Sequence, residues 1–254
     1  MFLHFCREIA AITQSVADHG VAQTKLNWWR QQVLQLSDPG RTAPEHPLLQ
    51  HWLPHAQAHG VTHQHLLQVI DGYQMDLDQS RYLDFAQLQP YCQKVGGIPA
   101  EAAARFFGQT DEATTRHARQ LGLSLELTRM LQCLGEDAMR GRIYIPINEL
   151  QEFDVKAHEL VKRGQSSDHS FKHRFEGLMR FQLQRARQAC EEAIDLLPVA
   201  DRRSQKPALM LAAMNRALLN ELAADPGLVL TNRISLTPLR MLWIAWKVQA
   251  LGRL

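Results

Sequence analysis

The chain has 254 residues, 45% of them hydrophobic and 21% charged, with a formal net charge of +2 and a mean hydropathy of −0.28. That composition belongs to a soluble, core-forming protein and excludes a disordered or collagenous one. A pI near 8.4 with interspersed charges supplies no basic stripe for a nucleic acid, and no run of about 18 apolar residues is present to span a bilayer.

Leu, Ala and Gln supply 88 residues against 31 for Val, Ile and Thr, which favours helix over strand. The start, MFLHFCREIAA, is interrupted by His4, Arg7 and Glu8 before a signal-peptide core can form, so a cytoplasmic location is expected. Helical periodicity is read over about 2–17, with Phe2, Phe5, Cys6, Ile9 and Ile12 on one stripe, and over about 20–36, which holds Trp28 and Trp29. A turn-rich loop covers 37–44. A third helix follows His46-Pro47 and stops at Gly60, and Thr62 is an N-cap candidate for a helix to about Asp78. Phe85 to Gly97 suits a helix that Gly96, Gly97 and Pro99 end or kink, and Asp111 to about Arg140 is the longest amphipathic stretch. Arg142 to Pro146 is expected to be extended, because β-branched residues precede a proline. Helical segments follow at 148–153, 155–162, about 169–196 and about 206–224, with a loop at 164–168, and Pro238 opens the last helix. With no internal repeat and no long linker, the reading is one all-α domain over residues 1–254. Cys6, Cys92, Cys133 and Cys190 lack metal-finger or CxxC spacing and read as buried thiols.

Three clusters invite chemistry. His51, His55, His59 and His63 recur every fourth residue, but Gly60 and Thr62 break the helix that would align them, and no acid or thiol completes a metal site; a solvated face is the plainer reading. Trp28, Trp29 and Arg30 read as core packing. The segment 135–146 places Glu136 and Asp137 within two turns of Arg140 and Arg142. Such carboxylates hold Mg²⁺ and such arginines grip diphosphates, although a salt-bridged helix end has the same spacing.

The motifs FCREI at 5–9, KLNWWRQQV at 25–33, IDGYQMDLDQSRY at 70–82, LQPYCQKVGG at 88–97 and GEDAMRGRIYIP at 135–146 occur in an order and spacing that resembles the squalene/phytoene synthases, notably bacterial presqualene diphosphate synthases. The resemblance implies an all-α isoprenoid synthase fold with helices around a central cavity. It also implies head-to-head condensation of two farnesyl or geranylgeranyl diphosphates, with Mg²⁺ held by two DxxxD motifs. Ionising an allylic diphosphate needs cations to neutralise the leaving group and a dry cavity to protect the carbocation.

Carried over by position, those motifs are damaged. Where the family pattern reads Asp-Asp-x-x-Asp, this chain has Ala10, Ala11, Ile12, Thr13 and Gln14. In the second motif the metal-binding asparagine is replaced by Arg129, the first aspartate by Cys133 and an upstream glutamine by Glu126, and Asp137 alone survives as a weak metal candidate. The candidate substrate-binding residues are Tyr82, Tyr91, Arg129, Glu136, Arg140, Arg142 and Tyr144; of these Tyr82, Tyr91, Arg140, Arg142 and Tyr144 match the family, as do Val95 and Gly96. Leu66, Ile70, Leu121, Leu125 and Leu127 suit either a cavity lining or the core. The resemblance further implies about two or more helical turns before the FCREI segment, so that either the reading frame begins upstream of Met1 or a wall of the cavity is truncated.

The expectation is a degenerate family member, needing no cofactor, that binds an isoprenoid lipid, a prenyl diphosphate or a protein partner. The family's assembly factor for mitochondrial respiratory complex I is an analogy for such reuse. The alternative is an active Mg²⁺-dependent prenyltransferase, alone or in a heteromer with an intact homologue. The terminal segment 238–254, with Leu239, Leu242, Trp243, Trp246, Arg240, Lys247 and Arg253, suits peripheral contact with the inner membrane face, or a helix packed on the bundle.

Overall fold

Helices follow one another in the expected order in the computed structural model, which describes residues 1–16, 18–37, 44–50, 56, 58–161 and 169–252. They are α1 (Phe2–Ser15), α2 (His19–Gln35), α3 (Pro47–Gln50), α4 (His63–Asp78), α5 (Phe85–Cys92), α6 (Ile98–Phe106), α7 (Ala113–Gln132), α8 (Leu134–Met139), α9 (Ile147–Glu152), α10 (Ala157–Val161), α11 (His169–Leu196), α12 (Lys206–Ala224) and α13 (Pro238–Leu251). No β-strand occurs among the described residues. The expected loop at 164–168, most of that at 37–44, and His51 and His55 lie outside them.

Thr62 opens α4 as expected, and the His65 ring accepts the Thr62 N–H at 3.1 Å. Of the two outcomes expected at Gly96, Gly97 and Pro99, the kink is realised and the helix end is not: a π turn at Gln93–Gly97 leads straight into α6, with Pro99 in the first turn. One expectation changes. The stretch from Asp111 to Arg140 is broken at Cys133 (φ −101°, ψ 9°), so α11, with 28 residues, is the longest helix.

Helix α7 is buried on nearly every side, which makes it the axis of the bundle. Its polar residues are satisfied there. Ser124 donates to the Ala186 carbonyl at 2.7 Å and accepts from Asn215 at 2.9 Å, joining α7 to α11 and α12, while Thr128 donates back to the Ser124 carbonyl. One core surrounds the α7–α11 contact and includes Tyr82, Tyr91, Tyr144 and Leu127; a second lies between α1, α2 and α4 and includes Phe5, Trp29, Leu66 and Ile70. Leu121 packs with Cys190 and Ala212, and Leu125 lies against that group. Of the five aliphatic residues open to two readings, Leu66, Ile70, Leu121 and Leu127 are buried in these cores and Leu125 is partly buried against one.

Glu101, buried on α6, receives Arg105 at 2.9 Å, Arg119 at 2.6 Å and His65 at 3.4 Å and so ties α4, α6 and α7 together. Burial opposes its charge, but hydrogen bonds from His65, Arg119 and Arg105 outweigh burial and hold its carboxyl at about 2. The expected extended segment runs beside residues 80–83: Ile143 forms an isolated parallel bridge with Arg81, and the Ile147 N–H donates to the Tyr82 carbonyl at 2.9 Å. That pairing sets Tyr144 against Tyr82.

Two glycines explain the π turn. A Cβ on Gly122 would lie 2.3 Å from the Gly96 carbonyl oxygen, so the two backbones touch directly. Gly177, inside α11, has only ordinary contact with Phe153, its nearest atom at 3.4 Å. Gly122→Ala is expected to destabilise by about 1–3 kcal/mol through overpacking, whereas Gly177→Ala is expected to stabilise by about 0.5–1 kcal/mol through helix propensity. Urea unfolding of both variants checks the pair, and equal effects would refute the direct backbone contact.

Candidate functional site

The end of α1, the second half of α4, Tyr91 of α5, the C-terminal part of α7, α8 and the extended segment converge on a small polar cavity. Its wall carries Asp76, Glu126 and Asp137 together with Arg129, Arg140 and Arg142, so its formal charges cancel. Its volume is about 60 Å³. Ligand pockets usually measure about 300–1,000 Å³, and a water occupies about 30 Å³.

Asp76 is the acid of α4 that faces this cavity. Four residues after Gly72 and seven after Val69, it falls on the buried stripe of α4. Tyr144 donates to its Oδ1 at 2.9 Å and Tyr91 to its Oδ2 at 3.1 Å, while Arg142 stands 3.5 Å away. Burial pushes its carboxyl up to about 6, only partly offset by Arg142 and the two hydroxyls. Burial and the adjacent Asp76 also raise Tyr91 and Tyr144 above the ordinary phenol range, so both remain donors. The rings of Tyr91 and Tyr144 stack with centroids 5.4 Å apart, and Tyr82 lies 6.5 Å from Tyr144.

Arg129 occupies the opposite wall. It bonds Glu126 at 2.7 Å, stands 3.5 Å from Asp137 and places its guanidinium 5.6 Å from the Tyr144 ring centroid. Burial opposes its charge, but Glu126 outweighs burial and binds its proton more firmly than usual. The break at Cys133 preserves this geometry because the Cys133 N–H still donates to the Arg129 carbonyl at 2.9 Å, and the Asp137 N–H to the Cys133 carbonyl at 2.8 Å. Burial raises both the Asp137 carboxyl and the Cys133 thiol.

These residues do not fit a magnesium cluster. Hard divalent cations take about six oxygen ligands, whereas two of the three wall carboxylates face Arg129 and the third accepts two phenols. On α1 the corresponding edge is Ala10 and Gln14, with Gln14 on the cavity wall. Among the described residues no group of three His, Cys, Asp or Glu is placed to hold a metal ion. His59 instead lies 5.0 Å from the Phe106 ring, and His63 contacts Gln64.

Of the residues expected at the site, Tyr91, Arg129, Asp137, Arg140, Arg142 and Tyr144 line the cavity. Tyr82 lies behind them in the tyrosine stack, and Glu136 is exposed, turned about 100° from Asp137 on the same helix. Gly96 is a packing contact with α7. Arg142 also donates to the Thr13 carbonyl at 3.1 Å, anchoring α1 to the site. Asp76 and Tyr73 join the wall without having been singled out, and Gln14 stands there in place of the family's aspartate. Asp76 carried a readable signal, an acid in register with an apolar stripe. Trp29 is buried against Phe5 at 5.3 Å, as core packing requires, whereas Trp28 is exposed and Arg30 pairs with Asp71 at 2.7 Å.

Because folding raises the Asp76 carboxyl, its charge lowers stability above about pH 6, and that loss disappears as pH falls towards the unfolded value. Between pH 4 and 7 the stability difference between Asp76→Asn and the parent protein is expected to shift in favour of the variant by up to about 3 kcal/mol. Denaturant titrations at both pH values measure it. A difference independent of pH would mean that Asp76 ionises normally.

Comparison with known proteins agrees with this architecture. The squalene/phytoene synthase family profile matches residues 1–240. Phytoene synthase of Mycobacterium tuberculosis is 33% identical over 178 residues, 70% of this chain and 58% of its own length. The 15-cis-phytoene synthase of Synechocystis is 30% identical over 193 residues, 70% of this chain and 56% of that protein. The chain thus spans rather more than half the length of these relatives. A dehydrosqualene synthase crystallised with a ligand superimposes with a TM-score of 0.77 at 19% identity, covering 99% of this chain and 84% of that one. Squalene synthase HpnC from Alicyclobacillus acidocaldarius gives 0.70 at 18% identity over 88% and 80% of the two chains. The fold is therefore that of the isoprenoid synthases, and the match over residues 1–240 makes this chain a member of the squalene/phytoene synthase family.

Proposed function

We propose that this protein is a catalytically degenerate member of its family, which keeps the isoprenoid synthase scaffold for binding and does not join prenyl diphosphates. The observation that carries this reading is Arg129 between Glu126 and Asp137, where the family resemblance places metal-binding groups. A metal cluster that assists ionisation must meet carboxylates whose charge is still available. Here Arg129 bonds Glu126 and stands 3.5 Å from Asp137, whose buried Oδ2 has no hydrogen-bond partner among the described residues, and Ala10 and Gln14 supply no acid from the facing helix. Three acids and three arginines leave the cavity without the field that would gather several divalent cations.

Binding remains within the chemistry of the site. Arg140 is exposed at the rim of the cavity, where a guanidinium can meet the phosphate of a prenyl lipid bidentately. An isoprenoid lipid or a protein partner is the class of ligand this reading supports. Under it, purified protein incubated with radiolabelled farnesyl and geranylgeranyl diphosphates, Mg²⁺ and NADPH yields no C30 or C40 product. Product above a protein-free blank would establish the active prenyltransferase instead. In a second measurement, Mg²⁺ is expected to leave the melting temperature unchanged in the presence of farnesyl thiodiphosphate, whereas a ligand-dependent metal site would raise it.

A further inference from the structure

The terminal helix α13 presents a face that the bundle leaves uncovered. Its inner side packs through Val248 against Leu197 and Leu209. On the outer side Leu239 is 79% exposed, Leu242 68%, Trp243 60% and Trp246 56%. At 100° per residue these four lie within an arc of about 100°, one continuous stripe along the helix. The indoles of Trp243 and Trp246 stack on each other in the open, with centroids 5.0 Å apart. Such a patch is unusual on a soluble surface and marks a site of association.

Charge identifies the occupant. From Pro226 onward the sequence contains Arg233, Arg240, Lys247 and Arg253 and no Asp or Glu, although the chain has 26 acids in all. Arg240 and Lys247 are exposed and fall along one edge of the apolar stripe, and Arg240 is bonded to Glu221. At the other end Lys206 donates to the Gln249 carbonyl at 3.2 Å. Among the described residues no helix is long and apolar enough to cross a membrane, and the 14 residues of α13 extend about 21 Å. Indoles and leucines on one side with cations at the edge fit the boundary between acyl chains and anionic head groups.

We infer that α13 is a docking surface for an anionic lipid bilayer, lying in the plane of the interface with Leu239, Leu242, Trp243 and Trp246 inserted and Lys247 at the level of the head groups. This assignment does not depend on whether the polar cavity turns over substrate.

Flotation of the full chain with vesicles of phosphatidylcholine alone, or mixed with phosphatidylglycerol, tests it. The protein is expected to float with the anionic vesicles, with a blue shift in tryptophan emission, and to bind neutral vesicles about tenfold more weakly. Leu242→Glu, at an exposed position, is expected to weaken binding to anionic vesicles at least about tenfold while circular dichroism stays unchanged. Lys247→Glu is expected to weaken anionic binding with little effect on neutral vesicles. Protein left wholly in the soluble fraction, or anionic binding indifferent to Leu242→Glu, would overturn the inference. A dimer that Leu242→Glu dissociates, without vesicle binding, would also overturn it and identify a second copy as the occupant.

Discussion

Arg129 is the internal counter-ion on which the centre of this molecule depends. Removing a buried charge from its partners costs about 3–5 kcal/mol, and here one guanidinium serves two carboxylates, Glu126 and Asp137, on either side of the break at Cys133. Without it, two acids would face each other beside Asp76, whose own carboxyl is already pushed up by burial. The segments around the cavity can close upon it because this charge is matched from within. Asp76 repeats the pattern on the opposite wall, where two phenols and Arg142 hold it.

A site that activates a leaving group must stay unsatisfied until its ligands arrive, and that unmet charge lowers the stability of the fold. In this cavity most of the charge is met from within, and Asp137 Oδ2 is the buried carboxylate oxygen left without a hydrogen-bond partner among the described residues. Arg129 pairs with Glu126 and Asp137, Tyr91 and Tyr144 donate to Asp76, and Arg142 reaches the Thr13 carbonyl of α1. Stability and metal affinity draw on the same carboxylates, so satisfying them with arginine favours the first at the expense of the second. The fold keeps its architecture because α7, with its Ser124 and Asn215 junction to α11 and α12, does not depend on the metal edge.

Local chemistry made much of this legible in advance. Thr62 as a cap, Pro238 as a helix start and the proline-terminated extended segment at 142–146 are short-range effects, and all are realised. At Gly96, Gly97 and Pro99 local chemistry leaves a helix end and a kink equally open, because the outcome is set by a distant partner: only glycines allow the π turn to touch the backbone of Gly122. A similar contact follows the break at Cys133. Gly135 lies where a Cβ would be 2.4 Å from the Leu230 carbonyl oxygen, a contact from 95 residues further along that no local pattern announces. Arg129 was visible as a misplaced cation in a recognisable motif. Asp76 was less so, because its partners Tyr91 and Tyr144 come from two other segments.

The overall charge of +2 conceals a division that now has physical meaning. All 26 acids lie in residues 1–225, so that part carries −2 and the last 29 residues carry +4. In the first part buried carboxylates are met by more exposed arginines: Glu101 by Arg105 and Arg119, Glu149 by Arg185, and Glu126 and Asp137 by Arg129. In the last part cations have no acid in their own segment, and they accompany an apolar stripe that has no cover within the bundle. Cations alone would be ordinary solvated surface, and an apolar stripe alone would suit another protein as well as a lipid. Together on one short helix, where Arg240 is bonded to Glu221 and Lys247 stands exposed at the edge of the stripe, they give the terminal face the amphipathic character of an interfacial helix.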